Sequence, residues 1–263
     1  MTEGLEQLAE SVGKAIQTIP EIYEDTFQPT AKETGKFIAR IPRAINAAFS
    51  GLDKWILHKE YSIEETKKIL AQKLENIEPE KIVEPEPYVA IPAIQAISYA
   101  MSSDDLRNLY ANLLAKSMIS DVKDSVHPAF IEIIKQMSPI DAKVYNLILN
   151  ADIRPVINLH ISKPTGGKNP IQYHCSWIRE FSIKQTATSI DNLIRLGLIE
   201  IPYGDSYSNS SNYDIVKNNP LFRELEQSFS SQPNRNGTLE YEDQYIKITD
   251  LSKLFYNICV LNP

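Results

Sequence analysis

Apolar positions along this chain recur at the three-and-four spacing of a helix face from residue 5 to residue 149, and then break into shorter, strand-like runs. Leu5, Leu8, Val12, Ala15, Ile16 and Ile19 form a first helical stripe, stopped by Pro20. The pattern predicts a short helix from Ile22 towards Phe27, then another over Thr30 to Ile41, with Pro29 in its first turn and an end near Pro42. Ser62 with Glu65 three residues on predicts a capping box, and Ile63, Thr66, Leu70, Leu74 and Ile77 then face inward. Four prolines, at 79, 85, 87 and 92, predict an extended connector strapped across the helices by Val83, Tyr88, Val89 and Ile91. A helix restarts at Pro92 and carries Ile94, Ile97 and Tyr99.

The stretch from Asp104 to Pro139, DDLRNLYANLLAKSMISDVKDSVHPAFIEIIKQMSP, holds two further helices. Leu106, Leu109, Tyr110, Leu113, Leu114 and Met118 line the first, and Phe130, Ile131, Ile134 and Met137 the second. Asp121, Asp124, His127 and Pro128 interrupt the pattern between them. This block, with VEPEPYVAIPAIQAISY at Val83–Tyr99, resembles the bacterial abortive infection alpha family, a domain of unknown function linked with phage resistance. The resemblance covers roughly residues 22–139 well and the remainder loosely. It implies an anti-phage setting and no particular reaction.

Past Met137 the pattern changes. Ser138 caps, Pro139 fits the first helical position and Asp141 faces the positive end of the helix dipole, so a helix runs to about Leu149. Ile153, Val156, Ile157, Leu159 and Ile161 predict a short strand, and KPTGGKNP a polar loop. FSIKQTATSIDNLIRLGLIEIP predicts a polar-capped helix with Ile190, Leu193 and Ile194 inward, a stop at Gly197 and a strand LIEIP. A returning strand at Tyr245–Ile248, a cap at Thr249 or Asp250 and a last apolar helix complete an order that resembles a winged helix. Residues 204–240, rich in Ser and Asn, read as an elongated wing insertion with a short helix at Pro220–Phe229. The expected fold is therefore mainly α: a helical domain over residues 1–137, then a winged-helix-like α+β domain over 138–263.

Charge and cysteine narrow the function classes. The net charge of −7 excludes a broad phosphate-coating surface. The acidity is N-terminal, with 15 Lys and Arg against 21 Asp and Glu up to residue 137 and 12 against 13 beyond it, so a polyanion would meet the second part. Cys175 and Cys259 imply neither a zinc cage nor a disulfide framework, and the acidic first 30 residues do not read as a secretory signal; both point to a cytoplasmic protein. The window Phe37–Leu57 is long enough to span a bilayer, but Arg40, Arg43, Asp53 and Lys54 interrupt it, and each central charge costs about 2.5–3.5 kcal/mol.

The candidate contacts follow from these elements. Lys184, Gln185, Thr188, Ser189, Asn192 and Arg195 would face a major groove if the helix Ile183–Leu196 read DNA, although Asp191 sits among them. Lys32, Lys36, Arg40 and Arg43 form a basic strip beside Phe37, Ile41 and Ile45 that would suit a membrane surface or a partner. The apolar circumference of Phe37–Leu57 admits a homo-oligomer. Asp121, Asp124, His127 and Glu132 have the composition of a cation site but also that of a capped loop. His160, His174 and Cys175 lack a nucleophile motif, and Gly166-Gly167-Lys168 lacks the spacing of a phosphate loop. The sequence thus points to a non-enzymatic anti-phage protein that binds a phage or host protein and needs no cofactor or metal. A DNA-binding regulator and a membrane effector acting through Thr30–Leu57 are the alternatives.

Overall fold

The computed structural model describes residues 40–49, 60–100, 102–230 and 237–263; the helices expected before residue 40 and the residues Lys32 and Lys36 lie outside them. Helical periodicity is realised as α1 (Arg40–Phe49), α2 (Glu60–Leu74), α3 (Pro87–Ile97), α4 (Asp104–Ser117), α5 (Ala129–Lys135) and α6 (Pro139–Leu149). Three boundaries differ from expectation. Helix α1 runs through Pro42 instead of ending near it. Helix α2 is already formed at Glu60, so Ser62 sits inside it and does not cap it. Helix α3 starts at Pro87, and Pro92 lies within it. Pro92 deprives only the carbonyl four residues back of a partner, and that residue, Tyr88, is 61% exposed and does not strap the connector down.

The connector is instead fastened at its other end. The N–H of Val83 donates to Met118 O at 2.9 Å, the N–H of Ser120 donates to Lys81 O at 2.8 Å, and Ile82 bridges Ile119. That bridge buries Ile82 beside the end of α4.

Helix α4 is the axis of the molecule. Every residue from Leu109 to Ser117 is buried, because α2, α3, α5 and α6 all pack on it. Full burial of one leucine contributes about 1.5–3 kcal/mol, so Leu113 and Leu114 anchor the assembly. Ser103 caps α4, accepting from the N–H of Leu106. Helix α6 opens on a complete capping box, in which Ser138 Oγ accepts from Asp141 N–H and Asp141 Oδ2 accepts from Ser138 N–H at 2.6 Å.

The remaining elements are β1 (Pro155–Ser162), β2 (Lys168–Ser176), α7 (Ile183–Arg195), β3 (Ile199–Glu200), α8 (Asp214–Lys217), α9 (Pro220–Ser230), β4 (Thr238–Tyr245), β5 (Lys247–Ile248) and α10 (Asp250–Phe255), followed by one π-helical turn at Tyr256–Val260. The fold is mainly α with small antiparallel sheets. One sheet has the order β2-β1-β4, and β3 pairs β5 over two residues each. The expected polar loop is the tip of the β1–β2 hairpin, where Gly166 and Gly167 adopt φ of +88° and +87°. Residues 204–240 contribute α8, α9 and the start of β4.

A bulge shapes β2. Ile157 faces Cys175 and Leu159 faces Gln172, so two residues, Tyr173 and His174, oppose Asn158. His174 adopts φ +57°, unusual for a side-chain-bearing residue, and its N–H is satisfied by Asn158 Oδ1 at 3.0 Å. Asn158 also donates to Gln244 Oε1 at 2.8 Å and so ties β2 to β4 through the middle strand.

Two hydrophobic clusters result. The larger joins Ile41, Leu70, Leu113 and Phe130 to Val156, Ile190, Phe255 and Cys259, so residues on both sides of position 137 share it. The smaller holds Ile157, Leu159 and Cys175 under Tyr213, Val216 and Phe222.

Candidate functional site

Helix α7 carries the six residues expected to contact DNA. A second capping box fixes its start, with Gln185 reaching back to the N–H of Ser182, so Gln185 is occupied there. Ser189 is buried at 3% exposure and faces the core, not a groove. Asn192 donates to Gln136 O and to Asp141 Oδ2, both at 3.0 Å, and Arg195 donates to Gln136 Oε1 at 2.7 Å. These two residues therefore clamp α7 to α5 and α6. Lys184 and Thr188 remain on the exposed face. Between them and Arg195, Asp191 meets His174 Nδ1 at 2.7 Å. Such a surface carries mixed charge and lacks the dense positive field that phosphate contacts require.

On α1, Ile41, Ala44 and Ile45 are buried in the larger cluster while Arg43 is exposed. Ile41 and Ile45, the described part of the apolar face beside the basic strip, are therefore covered by α2 and α3. Arg40 begins the described helix. No helix among the described residues is long and apolar enough to cross a membrane.

A groove that the sequence reading did not single out lies between α3, α4 and α5. Pro92, Gln95, Ala96 and Tyr99 line one wall, Leu106 and Tyr110 the floor, and Ile131, Glu132, Lys135 and Met137 the other wall, around about 470 Å³. Tyr99 is 73% exposed at its edge instead of packing inward. Burial, together with the nearby charge of Glu132, pushes the Tyr110 phenol well above its ordinary range, so it stays neutral. Residues 92, 95, 96 and 99 follow the helical three-and-four rule. The stripe lies within the helix predicted from Pro92; the α4 and α5 residues opposite it meet it only in three dimensions.

The thiol, imidazole and carboxyl groups singled out in the sequence sit in defined surroundings. Burial pushes the Cys175 thiol up to about 12, and it raises Cys259 well above the ordinary thiol range, partly offset by Lys116. His160 is buried with Nε2 3.4 Å from Glu240 Oε2. Asp121 accepts from Ser120 and pairs with Lys81 at 3.3 Å, which holds its carboxyl below the usual range. His127 Nδ1 accepts the N–H of Ala129 at 3.1 Å, and Glu132 pairs with Lys135 at 3.6 Å. Among the described residues, no group of three His, Cys, Asp or Glu side chains has metal-binding proximity.

The floor of α4 also holds the C-terminal turn. Asn112 Nδ2 donates to Cys259 O at 2.9 Å and to Val260 O at 3.0 Å, and Lys116 Nζ donates to Asn257 O and to Leu261 O. A π turn leaves carbonyls without helical partners, and two buried side chains supply them.

A family model described as "Abortive infection alpha" matches residues 58–259, starting later and reaching further than the residues that carry the resemblance in the sequence. Among curated proteins, none matches. The chain is similar to a solved structure of an uncharacterized protein from the hydrocarbon-degrading marine bacterium Alcanivorax borkumensis SK2, with 12% identity, 51% of this chain and 93% of that one covered, and a TM-score of 0.34.

Proposed function

The chain belongs to the abortive infection alpha family, and on that premise we propose that it serves phage defence without catalysing a reaction, by gripping a protein of the phage or of the host. The observation that carries this reading is the α3–α5 groove. Its centre is aromatic and aliphatic, through Tyr110, Leu106, Ile131 and Met137, and its edges are polar, through Gln95, Glu132 and Lys135. Protein interfaces share this plan of an apolar, aromatic centre and a polar rim. The exposed Tyr99 supplies an amphipathic anchor of the kind that dominates binding energy.

The test is a plaque assay over a broad phage panel with cells carrying wild type or Tyr99→Asp. Wild type is expected to reduce plaque yield, and Tyr99→Asp to abolish the reduction while its circular dichroism stays unchanged. Absence of protection by wild type against every phage, or full protection by Tyr99→Asp, sinks the reading.

We read α7, the β3–β5 pair and α10 as a winged-helix-like unit. Its exposed Lys184 and Thr188 favour a DNA contact as the second reading. A mobility shift at low salt that disappears in Lys184→Glu would establish it, and a wild type that never shifts DNA would dismiss it. Membrane attachment through α1 would require Ile41 and Ile45 to leave the core, which makes it the weakest of the three.

A further inference from the structure

A second cleft of about 500 Å³ shares no lining residue with the groove. It lies between α2, the start of α4 and the residues after the π turn, and four amide side chains border it: Gln72, Asn76, Asn108 and Asn262. Each amide offers both donors and an acceptor. Lys73 and Arg107 supply positive charge, and Glu65 also lies on the border.

The two cations differ. Arg107 is balanced by Asp104 at 2.6 Å. Lys73 donates to Asn262 Oδ1 at 2.9 Å, a neutral acceptor, and among the described residues no carboxylate stands within ion-pair distance of it. An ammonium has three protons to give, and water or a ligand must take what the protein does not. Burial draws the Lys73 amine below its ordinary range with no carboxylate to oppose that shift.

Behind it Lys116, 6% exposed, donates only to carbonyls; burial lowers its amine, Cys259 partly opposes that, and the positive charge of Lys73 adds to it. Two partly desolvated cations that repel each other and touch only neutral oxygens carry an electrostatic cost that an arriving anion removes. Because Glu65 borders the same cleft, the anion's charge must sit on the Lys73 side and the ligand's neutral polar body among the amides.

We propose that this cleft is a binding site for a small phosphate-bearing molecule, with Lys73 on the phosphate and the four amides around the remainder. Its volume falls in the range of small-molecule sites, roughly 300–1,000 Å³.

The experiment is calorimetric titration of the full chain with pyrophosphate, ATP and adenosine. At least one of the two phosphate-bearing probes is expected to bind, adenosine is not, and the pair of phosphate probes tells inorganic phosphate from a nucleotide. Lys73→Gln should weaken binding at least tenfold, whereas Lys135→Gln in the groove should leave it unchanged. At alkaline pH the bound anion restores the Lys73 proton, so binding takes up protons in wild type and not in Lys73→Gln. Ligand-free Lys73→Gln should melt at the wild-type temperature or above, because an uncompensated charge has been removed. Failure of both phosphate probes at millimolar concentration, undiminished affinity in Lys73→Gln, or a lower melting temperature of that variant overturns the assignment. Loss of plaque protection in Tyr99→Asp with phosphate binding intact separates the cleft from the groove.

Discussion

The two hydrophobic clusters are built by opposite means. The larger gathers helices around α4, each contributing a face whose members are three or four positions apart. The smaller is a sheet face, Ile157, Leu159 and Cys175, roofed by Tyr213, Val216 and Phe222 from the segment between β3 and β4, which Asn219 ties to Ser176 O of β2 at 3.2 Å. The larger cluster draws on positions 41 to 259 and closes by helix packing, whereas the smaller draws on positions 157 to 222 and closes when the segment after β3 folds over the β1–β2 hairpin. The difference implies two levels of cooperativity in one chain.

Phe130 is the ring on which the larger cluster depends most. Its ring meets Phe255 edge-on at 5.6 Å, and Phe255 in turn meets Tyr145 at 5.8 Å, joining α5, α6 and α10. Phe130→Ala is expected to cost about 3–5 kcal/mol, measured by denaturant unfolding, with every element losing protection together. Phe222→Ala removes the corresponding ring from the smaller cluster and should cost about 3 kcal/mol, the low end of the same range. Hydrogen exchange should then speed up in β1, β2 and β4 and stay slow in α4. If α4 speeds up equally, the two clusters form one unit and the contrast is wrong.

A smaller effect probes the seam between chain-distant parts of the larger cluster. Asn112→Ala strands the carbonyls of Cys259 and Val260, at a cost of about 1–3 kcal/mol in the same unfolding assay. Exchange should rise in the π turn before anywhere else. The smallest effect at neutral pH belongs to Cys175 in the smaller cluster. Its folded pKa, pushed up to about 12, lies above the unfolded value near 9. The protonated thiol is thus favoured by folding: its contribution is complete below about pH 9 and is lost as pH climbs towards 12. Cys175→Ala should flatten part of the fall in stability over that window, and an unchanged slope would show that the thiol does not titrate with folding.

The same contrast explains what the sequence disclosed. The Ser138 cap is legible directly, because it adjoins the helix it starts, whereas the reach of Asp141 back to the Ser138 N–H is read there only as charge facing the helix dipole. The face of α4 was equally plain. Strand β2, KNPIQYHCS, was not, since it is polar, contains Pro170 and carries a bulge; β1 and the Asn158 side chain hold it, and neither is adjacent in sequence. The start of α3 departs from expectation because prolines read locally as breakers, although Pro87 stands at a helix start, where proline is welcome. The groove stripe at 92, 95, 96 and 99 lies inside the helix predicted from Pro92, but the α5 wall opposite it is not adjacent in sequence. Of the six positions expected to contact DNA on α7, the pattern identified an exposed helix but could not foresee that Ser189 points inward or that Asn192 and Arg195 are spent on Gln136 and Asp141. The amide cleft was beyond local reading altogether, because Lys73 and Asn262 meet only in three dimensions.

The embrace of the π turn by α4 also sets a timetable. Asn112 and Lys116 leave the ribosome long before Asn257–Leu261 is synthesised, and until then the most buried helix of the molecule carries an amide and an ammonium with no carbonyl to receive them. During translation the nascent helical half must keep that side of α4 wet. Its last layer of packing can close only when the segment around Cys259 arrives.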